Sequence, residues 1–228
     1  KRSIASGEIS TSELKKAILI NIFISVSLSY FLIKYSFGTN YYLLLIFLIL
    51  SIFSVAAAIK YTMGESPYGY KGLGDIFVFI FFGLISVMGS SFLYTLKLDF
   101  MLLPIAISLG LLCVGVLNLN NIRDIENDSK MNKKTIPTRI GFKNSKIYHY
   151  TLMSIPILMT FLWSANFEIS IRYFFIIAAI FPIVFHIYKV RLAISPEKFK
   201  PLLKQLAIST FIYSILISIF LAYESILF

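Results

Sequence analysis

Residues Phe100 to Arg139 read FMLLPIAISLGLLCVGVLNLNNIRDIENDSKMNKKTIPTR. The first part, Phe100–Asn121, carries no charge and is long enough to cross a bilayer as a helix. Polar groups then arrive together at Asn118, Asn120, Asn121 and Arg123, followed by Asp124 and Asp128. Four residues apart, the two carboxylates share one face of a continuing helix, about one turn apart. Lys130, Lys133, Lys134, Arg139 and Lys143 follow. A helix leaving a membrane can carry such residues simply as its solvated end. The crowding of amides, Arg123 and the basic run points instead to function, because polar groups near membrane depth usually serve one. Paired carboxylates suit a hard ion such as Mg²⁺, which takes one or two carboxylates plus phosphate oxygens and water. The basic residues suit the remaining phosphate charge. The stretch therefore reads as a diphosphate site at the mouth of a membrane bundle.

Working outward, the same apolar runs recur along the chain. With 58% hydrophobic and 14% charged residues, the composition lies well outside that of a soluble domain, which carries about a quarter charged residues. Spans are expected at Leu14–Tyr35, Tyr41–Lys60, Asp75–Tyr94, Phe100–Asn121, Lys146–Ser164, Ile171–Lys189 and Leu202–Ser225. The runs are near helix-crossing length and do not alternate, so strands are excluded and the fold class is an all-α polytopic membrane bundle of seven transmembrane helices. Ser10 or Thr11 is the expected cap of the first, with Glu13 in its first turn. Pro104, Pro156 and Pro182 fall inside spans as expected kinks. Cys113 is the only cysteine, which excludes an intrachain disulfide.

All of the 21 Lys and Arg residues except Lys34, Lys97 and Arg172 fall on one side of this seven-span topology. That side is expected to be cytoplasmic and to carry the Asp124 loop, with the C-terminus outside. The net charge of +10 is thus placed for a membrane surface and an anionic substrate, and nucleic acid is not an expected partner. The connections on that side, Tyr61–Gly74 and Arg123–Ser145, are long, and long loops on a rigid scaffold commonly carry function.

The first of them lies within KYTMGESPYGYKGLGD, Lys60 to Asp75. It holds too many aromatic residues (Tyr61, Tyr68, Tyr70) for a solvated tether. Its glycines allow tight turns and close backbone approach, Lys71 supplies a cation and Asp75 a carboxylate. Taken alone, a tyrosine-rich interfacial belt with a glycine turn explains it slightly better than a ligand site does. The glycines match no nucleotide-binding fingerprint. His149 and His186 stand isolated near span ends, as interfacial or structural residues.

Two stretches together carry a resemblance. VLNLNNIRDIENDSKMNKKTIPTRIG resembles the second aspartate-rich motif of the UbiA superfamily of intramembrane prenyltransferases, and NNIRDIEND with the following KKT and RIG resembles its dihydroxynaphthoate polyprenyltransferase branch. YTMGESPYGYKGLGDIFVFIFFGLISVMGS resembles that branch's second loop and following helix. The opening KRSIASGEIS looks like the segment after the family's first aspartate-rich motif, and the resemblance covers essentially the whole chain.

The resemblance implies a single transmembrane prenyltransferase domain over residues 1–228, in a family of nine spans. Seven spans and a start at Lys1 suggest an N-terminally truncated chain whose first metal motif lies upstream, leaving this piece inactive or impaired by itself. It implies transfer of a polyprenyl group from polyprenyl diphosphate to 1,4-dihydroxy-2-naphthoate, giving demethylmenaquinone, in a bacterial inner membrane. Asp124 and Asp128 would hold Mg²⁺ on the diphosphate, supported by Asn120 and Asn121. Lys71, Arg123, Lys134 and Arg139 would neutralise the leaving group, and Tyr61, Tyr68, Tyr70 and Asp75 would shape the acceptor end. Alternatives are another aromatic acceptor on the same fold, or an ion-coupled transporter. The transporter requires carboxylates near mid-membrane and an inverted repeat.

Overall fold

The computed structural model describes residues 9–64, 67–168 and 173–226, and every regular element among them is helical. The expected opening segment KRSIASGE, Arg172 and the start of the Ile171 span lie outside the described residues. The chain forms two compact units, residues 1–60 and 61–228.

The first unit is two helices joined by a tight turn, α1 (Thr11–Phe37) and α2 (Tyr41–Thr62), the latter running two residues past the boundary between the units. Ser10 caps α1 as expected. Its Oγ accepts the Glu13 amide at 3.2 Å, and the Glu13 carboxylate accepts the Ser10 amide at 2.8 Å. This reciprocal pair satisfies two N-terminal donors that the helix itself cannot. Gly38 ends α1 at φ +55°, where Lys34 Nζ donates to its carbonyl at 2.7 Å. Phe23, Phe31, Leu45 and Phe53 are exposed along these helices, the outward face expected of membrane spans.

The second unit holds the core. Its first span, Gly74–Thr95, begins as α3 (Gly74–Val78), widens into a π-helical stretch (Phe79–Gly89) and ends as α4 (Ser90–Thr95). Next come α5 (Leu103–Arg123), the short α6 (Ile125–Lys130), α7 (Ile136–Ser164), α8 (Tyr173–Leu192) and α9 (Phe199–Ile226). The central helix is α5, which packs against the π-helical stretch, α7 and α9, while α8 packs against α9 and α7. Leu112, Leu119 and Ile122 of α5, Met153 and Trp163 of α7, Ile183 of α8, and Leu206 and Phe220 of α9 are buried together. The helices approach closely where a Cβ on Gly83 would stand 2.6 Å from both the Ala106 carbonyl oxygen and the Gly110 Cα. Small residues are what allow helix backbones to meet in a membrane.

Among the described residues, six helical segments are long and apolar enough to cross a membrane, which makes this an integral membrane protein. The seventh expected span, Lys146–Ser164, is helical throughout within α7, which carries Asn144, Ser145, Lys146, His149 and Thr160 and is not among the six. Pro104 does not kink its span. It sits in the first turn of α5, where a missing N–H costs no intrahelical bond. The expected loop Arg123–Ser145 is largely helical. Thr135 Oγ accepts the Thr138 amide at 3.4 Å, Pro137 opens α7, and Gly141 at φ +79° and ψ 167° breaks its line.

Candidate functional site

The site grows from the polar end of α5. Asn118 and Asn121 are buried and Asn120 is half-buried. Arg123 donates forward to Asp124 along one guanidinium edge, from Nε and Nη2 (2.8 and 2.6 Å), and back from Nη2 to Asn120 Oδ1 at 2.9 Å. Two parallel bonds make this the geometrically specific form of an ion pair. Asp124 leaves helical geometry at φ −96°, ψ 10°, yet its carbonyl accepts the Asp128 amide at 2.8 Å. The expected one-turn spacing of the two carboxylates survives the break between α5 and α6.

Asp128 is 5% exposed and pairs with Lys133 Nζ at 2.9 Å, while its carbonyl accepts the Lys133 amide at 2.9 Å. Lys133 was not singled out by the sequence, where it is one of several lysines in a run. The same ammonium lies 5.8 Å from the centre of the Tyr70 ring. A carboxylate of the second motif and a tyrosine of the first loop thus share one cation.

The two loops are laced together by backbone. The Lys134 amide donates to the Tyr70 carbonyl at 2.9 Å, and the Arg139 guanidinium donates to the Lys71 carbonyl at 2.6 Å. Gly72 sits between them at φ +79°. A Cβ there would lie 2.7 Å from the Lys134 carbonyl oxygen and 3.1 Å from Arg139 Nη2. Only glycine fits both the dihedral and the space. Lys71, Lys134 and Arg139 are exposed at this seam.

Behind it stands an aromatic wall. Tyr61 meets Tyr68 edge-on at 5.4 Å, and Tyr68 stacks on Phe77 at 4.0 Å. Tyr61 also covers Gly69 and Gly74, where a Cβ would meet it at 2.6 and 3.3 Å. Burial holds the Tyr68 phenol above its ordinary pKa, so it remains a protonated donor. Asp75 is 8% exposed and accepts a hydrogen bond of 2.9 Å from Tyr148 of α7. Tyr148 carried no sequence signal, because its partner Asp75 lies 73 residues away in the chain. The two histidines are not isolated: both are fully buried, with Nε2 atoms 3.0 Å apart.

The structure therefore brings Tyr61, Tyr68, Tyr70, Lys71 and Asp75 into one neighbourhood with Asp128, Lys134 and Arg139, while Asn120, Arg123 and Asp124 form their own cluster one turn from Asp128. Among the described residues no group of three or more His, Cys, Asp or Glu is gathered as a metal cage. The donors present are hard oxygens in a pair, the set that suits a divalent ion shared with phosphate rather than one held by protein alone. A groove of about 460 Å³ between α8 and α9, lined by Phe181, Phe185, Lys204 and Gln205 among others, shares no residue with this site.

Comparison with known proteins agrees with the motifs. The UbiA prenyltransferase family matches residues 1–215. The chain is 36% identical over 218 residues to the 1,4-dihydroxy-2-naphthoate octaprenyltransferase of Haemophilus influenzae, covering 96% of this chain and 70% of that protein. To the enzyme of the same name in Escherichia coli it is 41% identical over 152 residues, 67% of this chain and 49% of that one. The Bacillus subtilis enzyme of that name is 30% identical over 155 residues, covering 68% of this chain and 43% of its own length. No solved structure matches. With the family match running along nearly the whole of this chain and the two laced loops carrying the motif residues, this chain belongs to the UbiA prenyltransferase family.

Proposed function

We propose that the protein transfers a polyprenyl group from polyprenyl diphosphate to 1,4-dihydroxy-2-naphthoate, giving demethylmenaquinol, the reduced form of demethylmenaquinone, as one transmembrane domain. The observation that carries this reading is the lacing of the Tyr68–Lys71 turn to Lys134 and Arg139, which sets carboxylates, cations and tyrosines around one place. The names of the three relatives above supply the acceptor.

Asp124 and Asp128 are the residues to hold a divalent ion, taken as Mg²⁺, with Asn120 and Asn121 beside them. Such an ion, when bound, neutralises charge on the diphosphate oxygens. The allylic C–O bond breaks and its electron pair leaves with the diphosphate. Lys71, Arg123, Lys134 and Arg139 stabilise the growing negative charge. The Tyr61–Tyr68–Phe77 wall excludes water and faces the carbocation with aromatic rings. The ring carbon of the naphthoate that bears the carboxylate attacks the cation. Its C–CO2 bond then breaks, CO2 departs, and the electrons return to the ring. Asp75, held by Tyr148, orients the acceptor hydroxyl.

The lysine and arginine distribution favours these loops in the cytoplasm, and the bacterial relatives favour a bacterial inner membrane. The test is an assay of the full-length protein in membranes with one polyprenyl diphosphate and, in parallel, dihydroxynaphthoate, homogentisate and hydroxybenzoate. Magnesium-dependent prenylation of the naphthoate alone is expected. Preference for another acceptor, or no transfer to any, refutes the assignment.

A further inference from the structure

Deep in the second unit, three polar side chains from three helices stand in line among apolar neighbours. Asn118 of α5 is 1% exposed, and His149 of α7 and His186 of α8 are both 0% exposed. Asn118 Nδ2 lies 3.3 Å from the Ser145 carbonyl and 3.4 Å from His149 Nδ1. His149 Nε2 lies 3.0 Å from His186 Nε2. Buried polar groups are costly unless paired, so such a line has a job in packing, in positioning, or in both.

The hydrogen bonds dictate where each proton sits. The Ser145 carbonyl only accepts, so the group facing it must be the NH2 of Asn118, which fixes the amide's orientation. The second N–H of that amide then points to His149 Nδ1, which must accept. A neutral imidazole with an accepting Nδ1 carries its proton on Nε2 and donates to His186 Nε2. His186 in turn carries its proton on Nδ1, an atom with no partner of hydrogen-bond geometry, with Gln205 of α9 close to the ring. At the other end Asn118 Oδ1 is left unpaired, and so is Asn121 Oδ1 one turn further along α5. Both amides thereby carry a buried, unpaired acceptor on the polar end of α5, on the residues that flank Asn120 and precede Arg123 and Asp124.

We infer that His149 and His186 are positioning residues: a line of fixed tautomers that holds Asn118, and with it the amide face of α5, in the orientation the diphosphate end of the site requires. The inference rests on the proposed prenyl transfer for its kinetic readout, but its protonation pattern can be read without any substrate.

Two measurements test it in the full-length protein. Nitrogen-15 NMR of labelled histidine should show His149 protonated on Nε2 and His186 on Nδ1, assigned by single His→Phe replacements. The opposite pattern, or a charged ring at neutral pH, overturns the line whether or not prenyl transfer is observed. Kinetics then separate positioning from bulk packing. His149→Asn places an amide near the Nδ1 position and keeps an acceptor for Asn118, whereas His149→Gln places one near Nε2 and keeps only the donor to His186. Both leave the bundle a polar group at the same depth. The expected result is a KM for polyprenyl diphosphate raised about tenfold or more in the Gln variant and restored toward the parent value in the Asn variant, the size usual for outer-shell partners. Equal effects of the two variants, or effects that follow thermal stability alone, overturn it.

Discussion

At the scale of single residues, the two motif carboxylates differ in what they do for the fold. Asp124 and its partner Arg123 have side chains about a third exposed, and exposed pairs contribute little to stability. Asp124→Ala should therefore leave the bundle folded while transfer falls by at least about a hundredfold, the size expected when a group acting on developing charge is lost. Transfer assays and thermal unfolding in detergent, run side by side, check this; near-parental transfer would remove Asp124 from the site. Asp128 has a side chain only 7% exposed, against Lys133 at 18%. Removing one partner of a buried pair leaves the other uncompensated, at a cost of roughly 3 kcal/mol. Asp128→Ala should thus lose both activity and stability, and Lys133→Met should lower stability in the same direction. Tyr148→Phe keeps the ring but takes the donor from Asp75, costing about 1–3 kcal/mol. If Asp75 orients the acceptor, the KM for the aromatic substrate rises in that variant while that for the diphosphate stays in place.

At the scale of elements, the contact between the π-helical stretch and α5 depends on glycine. Gly83→Ala would press a methyl against the Ala106 carbonyl and the Gly110 backbone, neither of which is a flexible side-chain tip. A destabilisation of about 1–3 kcal/mol or more is expected from such overpacking. Gly89 ends the same stretch with its nearest neighbour, Ile85 Cγ2, at 3.9 Å. Gly89→Ala should be neutral or stabilise by up to about 1 kcal/mol, since alanine is the better helix former. Equal unfolding temperatures for the two variants would contradict the tight crossing. A different kind of joint links the loops. Gly72→Ala meets both a positive φ and the Lys134 carbonyl, so it should unlace Tyr70 and Lys71 from Lys134 and Arg139. Transfer should fall with little change in the unfolding temperature, because the seam lies at the exposed edge of the bundle.

At the scale of the whole molecule, orientation in the membrane is open to direct measurement. Cys113 is the only cysteine and lies within a span, so a Cys113→Ser background accepts new probes. With a membrane-impermeant thiol reagent on intact cells, Lys97→Cys should label and Lys130→Cys should not. The reverse pattern would put the Asp124 loop outside and remove the cytoplasmic site. The carboxylates stand at the end of a span rather than midway along one, which is the placement expected for diphosphate at a membrane surface and not for an ion-coupled transporter.

The chain's own order determined a good deal. Runs of about 20 apolar residues fixed helices and their rough limits, because a lipid environment leaves the backbone no other way to satisfy its bonds. The spacing of Asp124 and Asp128, the capping pair at Ser10 and Glu13, and the composition of the Lys60–Asp75 loop were equally local, and were legible for that reason. Only the tertiary structure decided which distant groups meet. Tyr148 with Asp75, Lys133 beneath Tyr70, and His149 against His186 are pairs set by how α5, α7 and α8 pack. The helical character of residues 136–145 and the first-turn placement of Pro104 were hidden for a related reason. Caps and kinks shift a helix by a turn without altering the apolar pattern, whereas the face a side chain presents changes by about 100° with every residue of shift.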